Sequence, residues 1–183
     1  MLTLASASPR RRELLAKIVK DYQVASPGIS EEFSSDLTVA ENVLAMARSK
    51  AATVAAAVGG VVLGADTIVC RGEKVYGKPG DEKENIAMLE ELSGDWHQVL
   101  TGVVVFREGD FVCGDVAVTN VKFRDLDLRE IESYVKLGRG LDKAGGYGIQ
   151  DEAGAFVEAL DGCYYNVMGL PLTLTARLLE QVK

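Results

Sequence analysis

The sequence has little histidine, tryptophan, proline or cysteine, and these shortages exclude several kinds of site. Its 183 residues include one histidine, one tryptophan, four prolines and three cysteines. The lone His97 cannot form a two-histidine metal site, and a Ser-His-Asp triad would depend on it alone. Cys70, Cys113 and Cys163 are widely spaced without a Cys-X-X-Cys pair, so neither a disulfide framework nor a zinc site is indicated. We therefore expect a cytoplasmic protein in which His97 is structural.

The chain also lacks a long apolar run and an excess of positive charge. Its longest apolar candidate, residues 51–63, is interrupted by Gly59 and Gly60, so it is too short to span a membrane. The formal net charge is -7 and the pI is about 4.8. We therefore expect a soluble protein that binds neither nucleic acid directly nor an anionic membrane, and that meets any anionic partner locally.

What is present is the composition of an ordinary globular domain, with one basic segment. Hydrophobic residues make up 48% and charged residues 26%, which favours a single domain over residues 1–183. Residues 1–20 contain five cations and a single acid, Glu13. A local basic site on an acidic protein indicates a bound anion, while the alternative interpretation is a solvated helix face.

Hydrophobic periodicity and capping residues predict a mixed α/β fold. Ser8 with Pro9, the pair Thr38 and Glu41, and Asp81 are typical helix starts. Strands are predicted at residues 2–5, 22–25, 61–69, 74–76, 96–106, 111–123 and 156–160. Helices are predicted from residue 9 to about 18, 39 to 58, 82 to 93, 128 to 137, and 171 to about 182.

A glycine-rich loop precedes the last predicted strand. Residues 138–154 contain six of the nineteen glycines, so the backbone must approach a neighbour closely or adopt positive φ. The spacing does not match the dinucleotide fingerprint G-x-G-x-x-G. Tyr147 could belong to the core. Gln150 is either a surface residue or, because it offers a donor and an acceptor, a reader of a base edge.

The junction of the first strand and helix is the first candidate site. Ser6, Ser8, Arg10 and Arg11 bring hydroxyl and guanidinium groups to a helix start, an arrangement that suits phosphate. Cations in the first helical turn oppose the helix dipole, so their placement there needs a reason. The alternative is that Ser8 only caps the helix and the arginines are solvated.

The second candidate site is Asp66 with Thr67, inside an apolar strand. A buried carboxylate is costly unless it is paired, hydrogen-bonded or bound to a cation, which favours a functional role. The alternative is a residue at a strand end that bonds the backbone. Glu31 and Glu32, in a loop after Gly28, could complete an oxygen-rich site for Mg²⁺ or Mn²⁺, or form a solvated acidic loop.

A segment that resembles a P-loop is interpreted as a coincidence. Residues 72–79 match G-x-x-x-x-G-K, but Pro79 replaces the hydroxyl residue that would hold Mg²⁺. The segment also reads as a hairpin rather than a strand-to-helix turn. Lys78 could still contact phosphate from extended structure.

Six short motifs occur in an order and spacing that resemble the Maf family of nucleoside triphosphate pyrophosphatases. The resemblance runs from Leu4 to the last helix. The motifs are Ser6-Ala7-Ser8-Pro9-Arg10-Arg11, Ala65-Asp66-Thr67, Gly77-Lys78-Pro79, Leu92-Ser93-Gly94, Asp142-Lys143-Ala144-Gly145 with Gly148-Ile149-Gln150, and Gly169-Leu170-Pro171.

The resemblance implies an α/β fold with an elongated mixed sheet, flanking helices and two lobes around a cleft. This fold would be similar to that of the inosine triphosphate pyrophosphatases. The implied reaction is water attack at the α-phosphorus of a nucleoside triphosphate with a divalent cation, Mg²⁺ or Mn²⁺. Asp66 would accept the proton of the attacking water, and Glu31 would be a catalytic partner of the metal or the water. Both residues would also be metal ligands. Lys50 and Lys78 would be catalytic, and the substrate-binding set would be Ser6, Arg10, Arg11, Thr67, Lys143 and Gln150.

Within the family, substrate choice follows three positions, occupied here by Arg10, Thr67 and Gln150. This set resembles the branch that acts on dTTP, UTP and modified pyrimidine nucleotides. A 7-methyl-GTP pyrophosphatase is the alternative enzyme, and a nucleotide-binding regulatory or cell-division interaction protein is the alternative from another class. A homodimer is a further expectation from the resemblance.

Overall fold

A computed structural model describes residues 1–29 and 33–183. The chain contains seven strands and six α-helices in this part, with two short 3-10 helices at Ala144–Gly146 and Glu152–Phe156. The strands are β1 (Leu2–Ala5), β2 (Tyr22–Ala25), β3 (Val61–Arg71), β4 (Lys74–Tyr76), β5 (Trp96–Arg107), β6 (Asp110–Phe123) and β7 (Val157–Asp161). The helices are α1 (Pro9–Leu15), α2 (Val39–Ala55), α3 (Glu82–Leu92), α4 (Leu128–Val135), α5 (Tyr164–Val167) and α6 (Leu172–Glu180).

The strands form one mixed sheet, which confirms the predicted fold class. The strand order is β2-β1-β3-β5-β6-β7, with β4 also paired to β3. Strand β1 is parallel to both β2 and β3, whereas the β3–β4 and β6–β7 pairs are antiparallel. The chain divides into two compact units, and β3, β5 and β6 each contribute residues to both. Unit 1 comprises Met1–Thr67, Leu100–Ala117 and Tyr165–Lys183, and unit 2 comprises Ile68–Val99 and Val118–Tyr164.

Unit 1 has an aliphatic core between α2 and the sheet. Small side chains on one face of α2, among them Ala47 and Ala51, pack against Val62 and Val104. A Cβ at Gly64 would lie 2.6 Å from the Ala51 Cβ and 2.7 Å from the Ala47 carbonyl oxygen. Helix and strand are therefore in direct backbone contact at Gly64, because any larger residue there would push them apart.

Unit 2 has an aromatic core. Phe123 lies edge-on to His97 and to Tyr147, with ring centroids 4.8 Å apart in both pairs. Phe156 packs against Phe123 at 5.9 Å and against Tyr134 at 5.3 Å. Edge-to-face rings at these separations gain quadrupole attraction in addition to burial.

Helix starts follow the sequence closely, because caps are local. Ser8, Thr38, Asp81 and Asp127 each accept a hydrogen bond from a first-turn backbone N–H, and Thr38 with Glu41 forms the full capping box.

Helix ends differ from the predictions. Helix α1 ends at Leu15 rather than near residue 18, and α2 ends at Ala55 rather than residue 58. In both places hydrogen-bonded turns carry the chain beyond the helix, with the Val19 and Val58 N–H groups bonding the carbonyls of Leu15 and Val54. The short helix α5 was not predicted, and β7 begins one residue later than expected.

The P-loop-like segment is a hairpin, as predicted. Strand β4 pairs antiparallel with β3, with Tyr76 opposite Val69, and the next helix begins only at Glu82. Lys78 is exposed and lies between β4 and that helix, outside any strand or helix.

Candidate functional site

The site in unit 1 begins where β1 meets α1. Ala5 pairs with Gly64 in the parallel register of β1 and β3, so the loop after β1 lies beside residues 65–67. Ser6 is buried, and its Oγ accepts hydrogen bonds from the Ser8 N–H at 3.2 Å and the Arg11 Nη1 at 3.4 Å. Register therefore brings the two sequence candidates of unit 1 side by side, where β1 ends and β3 continues.

Arg11 is held by several neighbours. Its Nε donates to the Gly169 carbonyl at 2.8 Å and its Nη2 donates to Thr67 Oγ1 at 2.9 Å. With the Ser6 contact, these bonds come from three segments of unit 1. A guanidinium held in this way is oriented before any anion arrives, which lowers the entropy cost of binding. Arg10 lies half-buried in the same turn.

Asp66 is buried in β3 and forms an ion pair with Lys50 on α2. The residues are 4% and 8% exposed, and Lys50 Nζ donates to Asp66 Oδ1. The contact of α2 with β3 at Gly64 explains the pairing, since it holds the helix against the strand two residues before Asp66. An ion pair this deep is costly to desolvate and does not by itself indicate stability. It does, however, hold a carboxylate, a group that can accept a proton, in a buried position with a cation beside it.

Thr67 links Arg11 to the next strand. Its Oγ1 lies 3.0 Å from the Oγ1 of Thr101, a fully buried residue of β5, and Thr101 donates to the Asn166 carbonyl at 3.1 Å. Sequence reasoning missed Thr101. The signal was available, because Thr101 is a polar residue inside an apolar strand run, the same argument that selected Asp66.

The glycine-rich loop lies in unit 2 and carries Lys143 and Gln150. Asn85, fully buried on α3, donates from Nδ2 to the Gly146 carbonyl at 2.9 Å. The Gly145 N–H donates to the Gly77 carbonyl at 3.0 Å, next to Lys78. The loop is thus anchored to α3 and to the segment after β4.

Buried aromatic hydroxyls support the same loop. His97 Nε2 and Tyr147 Oη are 2.7 Å apart, and Tyr134 Oη accepts the Gly148 N–H at 3.2 Å. Burial, with a smaller contribution from Arg71, lowers the pKa of His97 to about 4. Burial also raises the pKa of Tyr147 and of Tyr134 above their ordinary values. His97 is therefore neutral at neutral pH and structural, as predicted.

Lys143 is engaged within the loop. Its Nζ lies 2.8 Å from Asp142 and 3.6 Å from Asp151, it also donates to the Arg139 carbonyl, and its side chain is 11% exposed. Gln150 and Lys78 are exposed. To bind a phosphate group of a nucleotide, Lys143 would therefore have to exchange its existing ion pairs for a new one.

The described structure distributes the predicted site residues over the two units. Glu31 and Glu32 lie outside the described residues. Within residues 1–29 and 33–183, no group of three or more His, Cys, Asp or Glu side chains could hold a metal ion. Unit 1 contains Ser6, Arg10, Arg11, Lys50, Asp66 and Thr67, and unit 2 contains Lys78, Lys143 and Gln150.

The fold and site define an α/β protein with a mixed sheet, a buried carboxylate–ammonium pair and an arginine held at a strand–helix junction. The chain belongs to the Maf family, since the family model described as Maf-like protein matches residues 1–182. This confirms the resemblance in the sequence.

Curated relatives cover almost the whole chain. It is 49% identical over 181 residues to the dTTP/UTP pyrophosphatase of Thermococcus onnurineus (strain NA1), covering 98% of this chain and 97% of the relative. It is 43% identical over 183 residues to the dTTP/UTP pyrophosphatase of Clostridium perfringens (strain SM101 / Type A), covering 97% of this chain and 94% of the relative. These names agree with the predicted branch of the family.

Among solved structures, the chain is similar to the Staphylococcus aureus Ham1 protein. The TM-score is 0.47 at 18% identity, covering 68% of this chain and 72% of the other. Among the helices of the described chain, none combines the length and apolar character that a membrane span needs.

Proposed function

We propose that the protein hydrolyses nucleoside triphosphates, with dTTP and UTP preferred, to the nucleoside monophosphate and pyrophosphate. The observation that carries the proposal is the buried Asp66–Lys50 pair, one residue along β3 from the Thr67 hydroxyl that accepts from Arg11. Full-length relatives that bear the name dTTP/UTP pyrophosphatase support the same reaction.

In the proposed mechanism, Asp66 accepts a proton from the water that attacks the α-phosphorus. Lys50 donates a hydrogen bond to this carboxylate and offsets charge as it develops on the phosphoryl oxygens. Arg11, Arg10 and Ser6 bind the triphosphate from the β1–α1 junction. A pure nucleotide-binding protein would need these cations but would gain nothing from a carboxylate beside a polyanion.

The family resemblance supplies three further residues of the proposed substrate set. Lys78 assists catalysis and Lys143 binds phosphate after exchanging its partners Asp142 and Asp151. Gln150, exposed on the glycine-rich loop, reads the pyrimidine base, with Thr67 and Arg10 as the other specificity positions.

A divalent cation, Mg²⁺ or Mn²⁺, belongs to the proposal. The donor chemistry fits a cation shared with substrate, because Mg²⁺ is commonly bound by one or two carboxylates together with phosphates. Asp66 and Glu31, the latter outside the described residues, would hold it. When bound, the cation would neutralise charge on the triphosphate. We further propose a cytoplasmic location, based on the cysteine usage, and a homodimer, carried over from the family resemblance.

The test is product analysis with dTTP, UTP, CTP, dATP, GTP and 7-methyl-GTP, each with Mg²⁺, with Mn²⁺ and with chelator. We expect monophosphate and pyrophosphate from dTTP and UTP. Diphosphate and phosphate would contradict the bond assignment, and preference for 7-methyl-GTP would move the protein to the alternative branch. Binding without turnover would favour a regulatory nucleotide-binding protein.

Asp66→Asn is the decisive variant. Asparagine keeps an oxygen that can accept the Lys50 hydrogen bond but cannot take up a proton, so nucleotide should bind while turnover falls by at least about a hundredfold. The matched control is Asp110→Asn at the exposed first residue of β6, just after the hairpin turn, where we expect wild-type activity. Substantial activity in Asp66→Asn would refute the assigned base.

A further inference from the structure

Arg11 is part of a closed circuit of hydrogen bonds within unit 1. One path runs from Arg11 Nη2 through Thr67 and Thr101 to the Asn166 carbonyl. The other runs from Arg11 Nε to the Gly169 carbonyl, and the Gly169 N–H bonds the Asn166 carbonyl at 2.9 Å. Both supports of the guanidinium therefore converge on one backbone oxygen.

The number of hydroxyl protons sets the direction of this circuit. A threonine hydroxyl has one proton to donate, and that of Thr101 is directed at the Asn166 carbonyl. The proton between the two threonines must therefore come from Thr67. The guanidinium has only donors, so Thr67 accepts from Arg11 and donates to Thr101. Each hydroxyl accepts one bond and donates one, so the loss of either breaks the whole path.

The packing around the circuit leaves little freedom. Thr101 is fully buried, so water cannot replace its hydroxyl. Gly169 has φ +105°, and a Cβ there would lie 3.3 Å from Thr67 Oγ1 and 3.7 Å from Arg11 Nε. Only glycine allows the chain to present its carbonyl to Arg11 at this position.

We propose that Thr101 is a positioning residue that, acting through the Thr67 hydroxyl, orients the Arg11 guanidinium toward the substrate phosphates. We refer to the contacts from Thr101 through Thr67 to Arg11 as the relay. The proposal rests on the proposed function for the role of Arg11. It also gives Thr67 a task besides base selection, since a residue that orients a phosphate-binding arginine affects all nucleotides alike.

The first experiment measures binding of α,β-imido-dUTP and of inorganic pyrophosphate, which has no base. Thr101→Val should weaken both by about tenfold, since it removes the acceptor of the Thr67 hydroxyl. Thr101→Ser keeps the hydroxyl and should stay within about threefold of the wild type. The control is Thr175→Val, because Thr175 is an equally buried threonine of unit 1 whose hydroxyl bonds only the Pro171 carbonyl among the described contacts.

Three results would overturn the relay: unchanged affinity in Thr101→Val, equal loss in Thr101→Ser, or the same loss in Thr175→Val. Thr67→Val provides a second variant at a less buried position if Thr101→Val does not fold. It should weaken pyrophosphate and the nucleotide alike, and loss confined to the nucleotide would refute the relay in favour of a base contact.

Steady-state kinetics with dTTP separate this proposal from the proposed function. A wild type that binds the imido analogue without hydrolysing dTTP refutes the function and leaves the relay open to the binding test. A wild type that hydrolyses dTTP, with Thr101→Val unchanged in KM and kcat, refutes the relay alone. A wild type that binds neither probe refutes both.

Discussion

The Lys50–Asp66 pair shows that the role of Lys50 can be interpreted only when its neighbour in the fold is known. From the sequence, Asp66 stood out because it interrupts an apolar strand, whereas Lys50 was selected only through the family resemblance. In the folded chain Lys50 is 8% exposed and bonded to Asp66, so its burial depends on the carboxylate. Each member is costly without the other.

The stability of the pair can be tested by removing one member at a time. Lys50→Met leaves a buried carboxylate without its cation and should reduce the free energy of unfolding by about 3–5 kcal/mol near neutral pH. The double variant Lys50→Met/Asp66→Asn should recover part of this loss, because no buried charge remains. Urea unfolding of the wild type and the variants measures this coupling. Additive effects would show that the two side chains are energetically independent.

Gln150 provides the residue-scale test of substrate choice. It is exposed on the glycine-rich loop, so its replacement should leave the fold unchanged. A glutamate in its place has lost the amide donor, so Gln150→Glu should shift the ratio of kcat/KM for dTTP to that for 7-methyl-GTP toward the purine by at least about tenfold. An unchanged ratio would show that this position does not read the base. Gln98→Glu, another exposed glutamine, is the matched control.

At the scale of elements, the glycine-rich loop is an ordered segment. The sequence predicted that its glycines meet close neighbours or adopt positive φ, and both occur. At Gly146 φ is +72°, and a Cβ would lie 2.1 Å from Asn85 Nδ2; at Gly138 φ is +67° and nothing lies within 4 Å. The sequence could not identify Asn85 as the neighbour, because it lies on α3, far away along the chain.

This contrast separates backbone strain from steric contact. Gly138→Ala should cost about 1–2 kcal/mol of unfolding free energy from the left-handed backbone alone. Gly146→Ala adds a clash with a buried, hydrogen-bonded amide and should cost about 2–5 kcal/mol. Thermal or urea unfolding of both variants measures the difference. Equal losses would mean that Asn85 moves aside freely.

At the scale of the whole molecule, the buried His97 links stability to pH. Its folded-state pKa, lowered to about 4 from 6.5 chiefly by burial, means that the unfolded chain binds more protons between these pH values. The stability contributed by neutral His97 is therefore complete above about pH 6.5 and is lost as the pH falls toward 4. The full loss is about 3 kcal/mol.

His97→Gln removes this titration while keeping a polar group near Tyr147. The free energy of unfolding should fall more steeply for the wild type than for His97→Gln between about pH 6.5 and 4.5. Carboxylates titrate in both proteins, so their contribution cancels in the difference. Parallel curves would contradict the low pKa of the buried imidazole.

The sequence by itself determined the local features. These are the capped helix starts, the strand runs, the hairpin in place of a P-loop, the selection of Asp66 as a candidate site residue and the family motifs. These depend on residues within a few positions of one another or on the cost of a charge in an apolar run. Only the tertiary structure decided that Lys50 pairs with Asp66, that Asn85 and His97 support the glycine-rich loop, and that Thr101 reaches Arg11 through Thr67. Such pairings follow from strand register and from how closely a helix approaches the sheet, which are set by packing between distant segments and leave no local pattern in the chain.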